Sequence, residues 1–176
     1  MKKFFAKLAI LSIVFLLTGQ GCVSIGGNDE NATNGPAGVF ISQDRGESWQ
    51  SISLMPQADG TINISSASVY KLIGDPSDPK ALYWASRAKG LFYSYDNGKS
   101  WQRPSEAVNT GFIYSIAVHP EDNCTVYATN GVVVYRTINC NRTWAEVYRE
   151  NENDTLRSVV INPQDPHEVL ILKEKG

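Results

Sequence analysis

The sequence predicts an all-β fold: a β-propeller of four-stranded antiparallel blades, present as an incomplete arc of about three blades from a ring of six to eight. Three observations predict it. A proline-centred pattern recurs in "KLIGDPSDPKALYWAS", "SIAVHPEDNCTVYATN" and "SVVINPQDPHEVLILK", with Pro76, Pro120 and Pro163 spaced by 44 and 43 residues. "ISQDRGESW" and "YSYDNGKSW" share the pattern S-x-D-x-G-x-S-W, and Trp49, Trp101 and Trp144 are spaced by 52 and 43 residues. The short strands are apolar on both faces, as in a sheet packed between two neighbours. A repeat of about 43 residues holding four strands has the period of a propeller blade.

Within each period a first strand, A, leads into the proline turn, where Asp78, Asp122 and Asp165 follow the prolines by two. Strand B carries Tyr83, Tyr127 and Leu170 at equivalent positions. A glycine turn such as "TNG", Thr129 to Gly131, leads to strand C. In strand C, Val39 and Ile41 oppose Phe40, and Leu91 and Tyr93 oppose Phe92. The S-x-D-x-G-x-S-W hairpin then joins C to D. The longer first interval is expected to hold a loop near "MPQADGTINISS". The chain is thus expected to start with strands C and D, around Val39 to Leu54, and to hold two whole blades ending near Trp101 and Trp144. Strands A and B, around Leu156 to Leu172, finish it. The final "KEKG" matches "RAKG" at Arg87–Gly90, which "LFYSYDNGKSW" follows, so further periods are expected beyond Gly176.

The S-x-D-x-G-x-[ST]-W pattern is similar to the Asp-box, or BNR repeat. Combined with D-P-x-D-P-x-x-L-Y it resembles the photosystem II stability/assembly factor and sortilin-type propellers. Sialidases and xyloglucan-cleaving glycosidases carry the same box. The resemblance covers residues 38–176. The box residues are Ser42, Asp44, Gly46 and Trp49 in the first copy and Ser94, Asp96, Gly98 and Trp101 in the second. Thr137, Asn139, Asn141 and Trp144 form a third, diverged copy. Their residue types suit a tight turn. Gly46 and Gly98 supply a positive φ, the aspartates accept N–H groups of the loop, and the tryptophan covers it. Asn replaces both Asp and Gly in the third copy and suits the same turn, so these residues read as structural rather than catalytic.

The first residues set the compartment. Lys2, Lys3 and Lys7 precede an apolar run from Leu8 to Leu17, too short to span a bilayer and suited to a secretory signal over residues 1–21. "LTGQGC" resembles the bacterial lipobox and makes Cys22 the expected lipidation site; the alternative is an ordinary signal with a chance cysteine. Residues 22–37 read as a flexible tether rich in Gly and Asn. With Cys22 acylated, Cys124 and Cys140 are left to pair as a disulfide across one B–C hairpin in an oxidising compartment. The protein is therefore expected to be exported and lipid-anchored in the bacterial envelope.

The formal charge of −2, and −5 after removal of three lysines, shows no basic patch for nucleic acid. Neither metal-ligand spacing nor a cofactor motif is present, and His119 and His167 read as turn residues. No catalytic residue is assigned. Arg87, Arg103 and Arg157 read as solvated. Tyr70 and Tyr114, six before their prolines, read as blade-core packing, with a sugar-lining role as the other option. The leading functional expectation is an envelope-anchored, non-catalytic propeller that binds a protein partner or scaffolds an assembly. The alternative is a sialidase-like or xyloglucanase-like glycoside hydrolase, or a carbohydrate-binding propeller with a glycan partner.

Overall fold

The computed structural model describes residues 37–104, 106–151 and 153–176. The signal segment, Cys22 and the tether up to residue 36 lie outside them.

Among the described residues all regular elements are strands, apart from one 3-10 turn at Glu106–Val108. Strands β1 (Phe40–Ile41) and β2 (Gln50–Ser51) form the expected C–D half-blade. The segment expected as a loop is instead a hairpin of β3 (Leu54–Gln57) and β4 (Gly60–Asn63). Its turn is Ala58–Asp59, and Gly60, paired with Gln57, opens the return strand at φ 132°. Met55 and Ile64 from this excursion are buried.

The second blade comprises β5 (Val69–Gly74), β6 (Leu82–Ser86) and β7 (Leu91–Ser94), paired in that order. Its fourth strand is reduced to a single bridge between Tyr93 and Gln102. Pro104 lacks an N–H and cannot extend that ladder. The third blade is complete, with β8 (Ser115–Val118), β9 (Val126–Thr129), β10 (Val133–Thr137) and β11 (Ala145–Arg149) side by side in one antiparallel sheet. Strands β12 (Thr155–Ile161) and β13 (Val169–Glu174) form the A–B hairpin of the next.

Three cores lie between these sheets. Val39, Trp84, Phe92 and Trp101 fill the first. Tyr83, Leu91, Tyr93, Ile116 and Val126 fill the second, and Val134, Leu156 and Val159 the third. Leu91 and Tyr93 face one core while Phe92 faces the other, as strand alternation requires. The outer face of β12–β13 exposes Val160, Leu170 and Leu172.

Candidate functional site

Antiparallel pairing sorts the connections to two ends of the sheets. The proline turns and the C–D turns share one end; the B–C turns and the starts of the A strands share the other.

The first end holds the boxes. In the second copy, Ser94 Oγ accepts the N–H of Gly98 at 2.8 Å and donates to Asp96 Oδ1 at 2.7 Å. Asp96 Oδ1 accepts the Ser100 N–H at 2.9 Å, and its Oδ2 accepts the Ser100 hydroxyl at 2.6 Å. Asp44 repeats this scheme with Ser42 and Ser48. In the third copy Thr137 Oγ1 accepts the Asn141 N–H at 3.2 Å, and Asn139 Oδ1 accepts the Thr143 N–H at 3.0 Å. The amide adds a bond of its own, donating from Nδ2 to Thr143 Oγ1 at 2.8 Å.

The sequence reading placed one positive φ in each turn; the structure has two in succession. They are Arg45 (62°) with Gly46 (96°), Asn97 (61°) with Gly98 (79°), and Cys140 (55°) with Asn141 (64°). Each pair is the centre of a four-residue turn at the loop tip, closed by Glu47 N–H to Asp44, Lys99 N–H to Asp96 and Arg142 N–H to Asn139, and a turn of this hand puts both central residues in the left-handed region. Trp101 is fully buried and donates to the Ile52 carbonyl, whereas Trp49 is 64% exposed. Trp144 packs against the second core.

Hydrogen bonds from the Ser48 side chain and backbone, then from Ser42, hold the Asp44 carboxyl at a pKa of about 2. For Asp96, burial pushes the pKa upward, but the bonds from Ser100 and Ser94 outweigh it and the net shift is downward. Both carboxylates are poised as ionised acceptors, the wrong state for a general acid. At the same end Cys124 and Cys140 are joined by a disulfide, and the Cys140 N–H donates to the Cys124 carbonyl at 3.3 Å. His119 is a turn residue whose Nδ1 accepts the N–H groups of Glu121 and Asp122.

The opposite end carries a row of side chains from three successive blades. Tyr70, Tyr114 and Arg157 each stand six residues before their proline, at the starts of three A strands. Phe112 stacks on Tyr114 with centroids 4.1 Å apart and meets Tyr70 edge-on at 4.8 Å. The Arg157 guanidinium lies 5.2 Å over Tyr114. Arg87, from the B–C turn of the second blade, lies 4.9 Å over Tyr70 and 5.7 Å from Phe112. Tyr70 is 41% exposed, so it is not a core residue as the sequence reading had it. Tyr70 lies in β5, which is exposed along nearly its whole length, Val69 and Leu72 included.

The three arginines are exposed, as expected, and each also has protein contacts. Arg87 and Arg157 cover rings, and Arg157 also pairs with Glu174. Arg103 lies 5.3 Å over Phe92 and donates to the carbonyls of Lys89 and Asn109. Backbone bonds fix the row: Ile113 N–H to Ser86 at 3.1 Å and Leu156 N–H to Gly131 at 2.8 Å run between blades, and Tyr114 N–H to Thr129 at 2.8 Å extends the β8–β9 ladder within one. Sequence reading missed Phe112 and the Arg157 contribution. The proline alignment held the signal, since it puts Arg157 in register with the two tyrosines.

Comparison with known proteins relates the chain to polysaccharide-degrading propellers and to one receptor family. Over 74 residues, 42% of this chain, it is 32% identical to a xyloglucanase from Paenibacillus sp., of which those residues make up 7%. A solved ancestral GH74 enzyme overlays 80% of the chain with a TM-score of 0.57 and 26% identity, over 19% of that enzyme. The GH74 xyloglucanase of Xanthomonas campestris overlays 77% with a TM-score of 0.55, over 23% of its own chain, at 15% identity, a likeness of fold alone. The chain thus spans about a fifth of these enzymes. Residues 89–176, half of the chain, match the Sortilin-Vps10 family model (sortilin, neurotensin receptor 3), and the chain belongs to that family.

Proposed function

We propose that residues 38–176 form a saccharide-binding part of a propeller of the glycoside-hydrolase type. The row of Tyr70, Phe112 and Tyr114 with its two guanidinium groups carries this reading. Sugar rings present C–H groups to aromatic surface and hydroxyls to planar N–H donors, and recognition sites combine apolar area with a few placed polar groups. The identity to a xyloglucanase supports it, and favours the glycan alternative over a protein-binding scaffold. Binding is assigned here, with no residue assigned to bond cleavage, which in most such enzymes takes two carboxyl groups.

Affinity electrophoresis in gels cast with xyloglucan, other soluble β-glucans or acidic polysaccharides tests the reading. Retardation of the chain in at least one gel, lost in the Tyr70→Ala/Tyr114→Ala double variant with its fold intact by circular dichroism, is the expected result. Unretarded migration in every gel overturns it and returns the scaffold reading to first place.

A further inference from the structure

We infer that the Arg87 corner of the row receives a carboxylate, so that the saccharide selected by this end of the sheets carries uronic acid units. The inference rests on the saccharide-binding reading and narrows its ligand.

The two guanidinium groups of the row are not equivalent. Arg157 is paired with Glu174, so its end of the row is close to neutral. Arg87 meets no carboxylate among the described residues; its contacts are the faces of Tyr70 and Phe112. A guanidinium stacked on rings keeps its in-plane N–H groups free, and that fork matches the two oxygens of a carboxylate. The turn "SRAKG" that holds Arg87 has no acidic residue. Two residues on, Lys89 lines a second feature, a cavity of about 160 Å³ shared with Arg103, Asn63 and Ser66 and free of acidic lining. A chain of net charge −2 thus presents at this corner a locally cationic surface beside aromatic rings. Neutral sugars meet aromatic surface and hydroxyl partners, and leave such a guanidinium uncompensated. A uronate supplies both the apolar ring face and the anion. The asymmetry also gives the ligand a direction, with its carboxylate at Arg87 and an uncharged unit at the Tyr114–Arg157 end.

Titration calorimetry on the full chain tests this with an oligogalacturonide, the same oligomer with its carboxyls reduced to alcohols, a cello-oligosaccharide and a polyglutamate peptide. The oligogalacturonide is expected to bind about tenfold or more tightly than its reduced form, as a charge-assisted pair provides, and to weaken with salt. Arg87→Gln, folded by its unchanged melting profile, is expected to erase that difference. Equal affinity for the acidic and reduced oligomers in the wild-type chain overturns the inference and leaves saccharide binding standing. Polyglutamate binding as tightly as the oligogalacturonide overturns it in favour of a peptide ligand. Failure of every saccharide overturns both readings together.

Discussion

Tyr114 lies directly against the α-carbon of Gly131: a β-carbon built there falls 2.8 Å from the Tyr114 ring and 3.4 Å from Thr155. Gly131 is also at φ 94°, in the left-handed region. The ring seat of the row therefore depends on a missing side chain. Gly131→Ala is expected to cost at least about 1 kcal/mol and to weaken saccharide retention as Tyr114 moves off Phe112. Gly46→Ala is the matched control, since φ there is 96°, a β-carbon meets only Trp49 at 3.9 Å, and the residue lies in a box turn at the opposite end. It should lose stability alone. Equal retention in both variants would show that the seat of Tyr114 is immaterial.

Acid should loosen the box turns in a defined window. The Asp44 pKa in the folded chain is about 2, below the usual carboxylate value near 3.9 in an unfolded chain. A depressed folded-state pKa gives stability that is fully present above about pH 4 and disappears as pH falls through about 2. Asp96 shifts the same way. The melting temperature should therefore fall across this window, and less steeply in Asp44→Asn, which thermal melts by circular dichroism at stepped pH will report.

Asp96→Asn should cost about 1 kcal/mol, because the amide retains one acceptor oxygen, as Asn139 does. Saccharide retention should match wild type, since the box is at the far end of the sheets from the row. Loss of retention with unchanged melting would assign Asp96 a role in the ligand site.

The Cys124–Cys140 link closes a short loop, 16 residues apart in sequence. Replacing both cysteines by serine should lower stability by about 3 kcal/mol in denaturant unfolding. It should also loosen the third box, whose turn includes Cys140 at φ 55°.

Lipidation of Cys22 is tested by the mass of the mature N-terminus in a bacterial host. The expected product begins at Cys22 and carries acyl chains, and Cys22→Ala should release it from membranes.

The strand order was legible because short-range signals carried it. Prolines punctuate A and B, boxes join C and D, and alternation at Leu91, Phe92 and Tyr93 assigns two faces. The hairpin of β3 and β4 was missed although "ADG" at Ala58 to Gly60 carries turn residues, because the repeat alignment treated the extra residues as an insertion. The second positive φ in each box was missed because Arg45, Asn97 and Cys140 are not glycine; the turn imposes the conformation on them. The aromatic row was partly legible. Its proline register was visible, but period alone does not say whether a recurring ring points into a core or stands at a strand's open end. Arg157 over Tyr114 is a contact across blades, and no local pattern encodes it.

The separation of boxes and row to opposite ends of the strands has a consequence for how such a chain can change. The turns that hold each blade together share almost no residues with the surface that meets a ligand. A substitution six residues before a proline alters what one blade displays, while the hairpin beneath it keeps its hydrogen bonds. Each period then behaves as an interchangeable tile, and ligand preference can be rewritten one tile at a time on a foundation that stays the same.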